Sequence, residues 1–147
     1  MKEVPMEKGI REVMTSNPRT IEADKPVADA AKLMRDEDVG LAPIVEGDRL
    51  VGALTDRDIA IRVVAEGKDP ASTPVREVAS TDVVTVDPDQ DLDEALNLMA
   101  QHQVRRIPVV EQDGRLVGVV AQADVARQAD ERQTGELVEQ ISQESSQ

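Results

Sequence analysis

The chain writes one unit twice. Arg-Glu-Val at 11–13 recurs at 76–78, an offset of 65. The same offset carries Thr20 to Thr85, Asp24 to Asp89, Leu33–Met34 to Leu98–Met99, Val39 to Val104 and Pro43 to Pro108. One residue inserted near Gln112 raises it to 66. Arg49-Leu50-Val51-Gly52 then falls on Arg115-Leu116-Val117-Gly118, and Asp58 on Asp124. Matches in this order mean two similar folding units. A unit of about 60 residues is marginal by itself. Two such units are expected to cover each other's open sheet face about a pseudo-two-fold axis, leaving two equivalent clefts between them.

The pattern within each unit reads β-α-β-β-α, an α/β (α+β) class. RTIEAD (19–24) and VTVDPD (84–89) read as short strands with polar flanks. A helix follows each. Its apolar positions are Val27, Ala30, Ala31 and Met34 in one copy and Leu92, Ala95, Leu96 and Met99 in the other. That is the spacing of one buried face. Asp24 with Pro26, and Asp89 or Asp91 with Glu94, are the expected starts; Gly40 is the expected stop of the first. LAPIV with RLVGALT, and IPVV with RLVGVVA, read as hairpins, the second turning at Asp113–Gly114. Their nearly unbroken apolar runs call for cover on both faces. Second helices are expected at about 56–66 and 122–131. The units span 9–66 and 75–131. GKDPASTP (67–74) reads as a linker and 132–147 as a polar tail with one short amphipathic helix at Leu137, Val138 and Ile141.

Composition narrows the partners. The chain has no Phe, Trp, Tyr or Cys, one His and a net charge of −13. Aliphatic residues and methionines such as Met14, Met34 and Met99 must build the core. There are no rings to stack on bases, and the charge repels polyanions, so neither nucleic acid nor membrane is expected as a partner. Disulfides, thiol nucleophiles and cysteine-bound zinc are excluded. His102 alone makes neither a multi-histidine metal site nor a convincing catalytic base, so no enzyme activity is expected. No apolar run approaches the roughly 18 residues of a membrane span, and the N-terminus has no signal core, which points to the cytoplasm.

Residues 52–58 (GALTDRD) and 118–124 (GVVAQAD) hold the most specific pattern. Thr55 and Asp58 are spaced as a capping box for the following helix. The same residues suit a nucleotide. A carboxylate accepts two hydroxyls of a ribose diol, and a hydroxyl with free amides at a helix start holds a phosphate. Arg57 or Arg62 adds positive charge, and Gly52 permits close approach of backbone or ligand. In the second copy Ala121 replaces the hydroxyl, yet Asp124 remains.

A tandem β-α-β-β-α unit carrying LVGALTDRDI, GLAPIVE and VRRIPVVE resembles the cystathionine-β-synthase (CBS) domain family over 9–66 and 75–131. The wording is most similar to that of stand-alone bacterial CBS pairs, or Bateman modules. The resemblance implies a regulatory homodimer that binds AMP, ADP, ATP or S-adenosylmethionine between the repeats, needs no cofactor and signals to a protein partner. It implies one site of Thr20, Ile21, Gly40, Leu41, Ala42, Pro43, Thr55, Arg57 and Asp58. The second, weaker site comprises Thr85, Val86, Arg105, Arg106, Ile107, Pro108 and Asp124. Two other readings stay open: a ligand-free dimerisation scaffold, and a divalent-cation sensor using Asp36, Glu37 and Asp38. His102 and that acidic run also read as solvated surface.

Overall fold

The computed structural model describes residues 9–128. The expected tail at 132–147 and the end of the last helix lie outside them. The elements are α1 (Ile10–Val13), β1 (Thr15–Ser16), β2 (Ile21–Glu22), α2 (Val27–Glu37), β3 (Leu41–Glu46), β4 (Arg49–Thr55) and α3 (Asp56–Asp58). A π-helical segment, Ile59–Val64, continues α3, and a 3-10 turn follows at Val75–Glu77. Then come α4 (Leu92–His102), β5 (Arg106–Val110) and β6 (Leu116–Ala121). Residues 122–128 form α5.

Two three-stranded sheets result, β2-β3-β4 and β1-β6-β5. The repeats exchange their leading segments. Thr15 of the first repeat pairs with Val119 of the second, and Ser80 of the second pairs with Ala53 of the first. The repeat offset relates the two pairings. The cores follow the same exchange. Ile10 packs with Val86, Leu92, Met99 and Ile107, while Val75 and Val78 pack with Ile21, Leu33, Ile44 and Leu54. Neither half closes its core with its own leading segment.

Gly52 and Gly118 make the exchange possible. A Cβ on Gly52 would stand 2.9 Å from Ser80 O, and one on Gly118 would stand 2.9 Å from Thr15 O and against Met14 Sδ. The obstacle in both cases is backbone, which cannot swing away. The glycine expected to admit backbone or ligand therefore admits the crossing strand.

The hairpin turns lock the halves at the other end of β4 and β6. Leu50 N donates to Gly114 O (3.1 Å) and Leu116 N to Asp48 O (2.9 Å), around an Arg49–Arg115 bridge. Arg49 also donates to Asp113 O. Donation from Arg115 N, and from its guanidinium, holds the exposed Asp113 carboxyl below the usual carboxylate range.

Several local expectations are corrected. In α2 the buried face is Val27, Ala30, Leu33 and Met34, and Ala31 is exposed. Pro26, not Asp24, is the N-cap of α2, and no side chain caps it. Carbonyls of 67–74 do so instead, because Val27 N and Ala28 N donate to Thr73 O and Pro70 O at 2.9 and 3.0 Å. In that segment Thr73 is buried and residues 67–72 are exposed. In α4 the cap is Asp91, which accepts from Glu94 N at 3.2 Å. The helices stop at Asp38 and Gln103, both at φ 56°, before Gly40 is reached. The strand expected at 84–89 shrinks to one bridge, Val86–Val109. Its counterpart continues through Ala23 N to Val45 O (3.0 Å), but the matching position is Pro88, which has no N–H to give.

Gly52→Ala is expected to lower the unfolding free energy by about 1–3 kcal/mol, because the added methyl overpacks against fixed backbone. Circular dichroism through a denaturant titration measures it, since the chain has no aromatic fluorophore. An unchanged midpoint would break the link between the glycine and the exchanged strand.

Candidate ligand-binding cleft

Side chains alternate along a strand, and this alternation builds the cleft. In β3, Ala42 and Ile44 enter the core while Leu41 and Pro43 line a cavity. In β6, Val120 enters the core while Val119 and Ala121 line the same cavity. The cavity holds about 160 Å³, and Thr15, Pro18, Arg19, Leu33, Glu37, Val39, Arg106 and Asp124 complete its lining. Val39, Leu41 and Arg106 also border a wider space of about 650 Å³, reached by Thr55, Arg57 and Arg105. The two spaces adjoin along those three shared residues. The narrow, mainly apolar one suits a flat base. The wider one is bordered by Arg57, Arg105 and Arg106 together with Asp38 and Asp56, and its guanidinium donors can meet negative charge.

The cavity crosses the two residue sets expected from the sequence. Leu41 and Pro43 of the first set face Arg106 and Asp124 of the second. Thr55, Arg57, Gly40 and Arg105 lie on the wider space. Ile21, Ala42, Val86 and Ile107 spend their side chains on the cores, so only their backbone groups are free to read a ligand. Pro108 is buried, Thr20 half-buried and Thr85 exposed; none of the three lines either space, nor does Asp58. Gly40 takes part through its carbonyl, which accepts from Asp56 N at 3.1 Å, as Arg105 O accepts from Gln122 N at 2.7 Å.

The two aspartates are held differently. Thr55 N donates to Asp58 Oδ2 at 3.0 Å, and Asp58 N donates to Thr55 Oγ1 at 3.1 Å. This is a reciprocated capping box. The other carboxylate oxygen, Oδ1, faces Arg62 Nε at 3.8 Å, and the side chain is 17% exposed. Asp124 has no threonine to cap. Its Oδ1 accepts from Arg127 Nη2 at 2.7 Å, and the side chain is 26% exposed. Among the described residues no hydrogen bond engages Asp124 Oδ2.

Sequence reasoning missed Thr15, Pro18, Arg19, Leu33, Glu37, Val39 and Val119. One signal was present. The period of two along LAPIV and LVGVVA separates core positions from cleft positions. The acidic run is also occupied: Arg19 Nη1 lies 3.5 Å from Glu37 Oε2 and 3.9 Å from Asp36 Oδ2, and Arg35 Nε lies 3.0 Å from Asp36 Oδ1. Among the described residues no three His, Asp or Glu side chains converge as a metal site.

Comparison with known proteins agrees with this architecture. The family model for the CBS domain matches residues 10–65 and 75–131. The CBS domain-containing protein YhcV of Bacillus subtilis is 46% identical over 117 residues, covering 80% of this chain and 82% of its own. Hypoxic response protein 1 of Mycobacterium tuberculosis is 39% identical, covering 89% and 92%. A crystal structure of hypoxic response protein I with two coordinated zinc ions superposes with a TM-score of 0.75 at 40% identity, covering 82% of this chain and 98% of that one. The CBS domain pair of protein MJ0100, solved with 5′-methylthioadenosine and S-adenosyl-L-methionine, gives 0.73 at 26% identity, covering 85% and 98%. Two matched repeats, exchanged leading strands and the shared pair architecture make this chain a member of the CBS domain family, a tandem CBS pair of the regulatory kind.

Proposed function

We propose that this CBS pair binds an adenosine nucleotide in the cleft between its repeats and passes the occupancy of that cleft to a partner protein. The observation that carries the reading is the convergence of Leu41 and Pro43 with Arg106 and Asp124 on one cavity. The base lies among Pro18, Leu33, Val39 and Val119. The ribose diol donates to Asp124, whose Oδ2 is open, and the phosphate reaches Arg106. The MJ0100 pair, with its two adenosyl ligands, supports an adenosyl ligand here. The order of the clefts is then the reverse of the expectation from the sequence. Asp124 serves the stronger site, because Asp124 lines the cavity and Asp58 lines neither space.

The ligand touches the leading segment of one repeat at Thr15 and the β6–α5 junction of the other at Ala121 and Asp124. It shifts the equilibrium between inter-repeat arrangements by its difference in affinity for them. The role is regulatory and needs no resident cofactor. We place the protein in the cytoplasm as a homodimer, with Ile61 (46% exposed) and Val64 (69%) on the surface available for self-association. Among the described residues no helix is long and apolar enough to cross a membrane. The scaffold reading requires that no nucleotide binds.

Calorimetry with AMP, ADP, ATP and S-adenosylmethionine tests the proposal. Asp124→Ala is expected to weaken the bound nucleotide at least tenfold, about 1.4 kcal/mol, and Asp58→Ala to weaken it much less. No heat with any of the four would leave the scaffold reading standing. A larger loss from Asp58→Ala would move the site to the other cleft.

Thr55→Ala separates capping from binding. It is expected to cost about 0.5–2 kcal/mol of stability through the lost cap, read as a lower thermal midpoint by circular dichroism. Affinity for the nucleotide is expected to stay within twofold.

A further inference from the structure

We infer that Arg19 makes the Asp124 cleft selective for adenosyl ligands that carry negative charge, over uncharged or cationic ones. This rests on the reading that the cleft takes an adenosyl ligand, and it adds which charge class is accepted and which residue decides.

Arg19 lies between β1 and β2, on the wall opposite the second repeat, and lines the cavity together with Glu37. Its guanidinium rests on Glu37 at 3.5 Å and more loosely on Asp36 at 3.9 Å. The arginine side chain is 53% exposed and both acids 46%, so water screens the pairs and they hold the guanidinium weakly. A phosphate entering the cleft therefore competes for Arg19 at little cost. Arg106 stands on the facing repeat. An anion at the junction of the two spaces, where Arg106 stands, has the Arg19 charge on its narrow side.

Glu37 gives the position its sign. With Arg19 in place the carboxylate is neutralised. Without Arg19 it would face the cavity unpaired, repelling anions and attracting cations. The other cleft lacks this device. The repeat offset puts Val84 and His102 where Arg19 and Glu37 stand, whereas Arg106 and Leu41 are each other's counterparts and so do not distinguish the clefts. Arg19 is thus the cation that belongs to the Asp124 cleft alone. The halves differ in the charge they accept as well as in how they hold their aspartates.

The test uses AMP, uncharged adenosine and cationic S-adenosylmethionine, titrated by calorimetry into the full chain and into Arg19→Gln and Glu37→Gln. Arg19→Gln is expected to reduce the AMP-to-adenosine affinity ratio at least tenfold and to raise relative affinity for S-adenosylmethionine. Glu37→Gln is expected to shift both ratios the other way. The AMP preference of the unaltered chain should also fall as salt rises. Unchanged ratios in Arg19→Gln, with binding still dependent on Asp124, would overturn this inference alone. Absence of binding by all three ligands to the unaltered chain would overturn it together with the adenosyl reading. Equal losses for AMP and adenosine in Arg19→Gln would show that Arg19 shapes the cleft without reading charge, and would also overturn it.

Discussion

The fold depends on two short backbone crossings. Each repeat lends its leading segment to the sheet of the other, and each crossing passes directly over a glycine, Gly52 or Gly118. The hydrophobic residues of those segments, Ile10 and Val75, are fully buried in the far core. Apolar burial is the main favourable term in folding. A half that must borrow part of its core cannot complete it alone. This accounts for a chain without aromatic residues being built as a tandem pair.

The same crossings create the cleft. A strand lent to the far sheet carries the following loop with it, so Thr15 and Arg19 stand opposite Val119, Ala121 and Asp124. The turn-to-turn hydrogen bonds beside Arg49 and Arg115 close the other end of β4 and β6. The halves are thus joined at one end of these strands, and the cavity forms beside the other. Any ligand seated there touches both repeats, as a sensor of their relative arrangement requires.

Much of this was legible in the residues. The offset of 65, then 66, set the number of units, their element order and the existence of two related clefts. It could not show the exchange, because pairing within a unit and pairing across units leave the same repeat in the sequence. The grouping of Leu41 and Pro43 with Asp58 came with the family resemblance; in space Leu41 and Pro43 share a cavity with Asp124. The short strand at Val86 was readable in principle, since Pro88 removes the donor that Ala23 supplies. The helix stops at Asp38 and Gln103 were harder, because a left-handed residue other than glycine carries only a weak signal. Arg19 was invisible as a cleft residue, since nothing local in SNPRTIE marks it as facing the other repeat.

The missing hydroxyl at Ala121 then has a physical reading. A complete capping box satisfies the helix start internally through Thr55 Oγ1 and Asp58 Oδ2, and Asp58 lines neither space of the cleft. Asp124 stands on the cavity wall. Among the described residues its hydrogen-bond partner is Arg127, whose side chain is 65% exposed, and that arginine can stay on Oδ1 while a diol takes Oδ2. Replacing threonine by alanine gives up a little helix stability and leaves a carboxylate oxygen open beside the cavity. The copy that looks degenerate in sequence is the one whose acid lines the cavity.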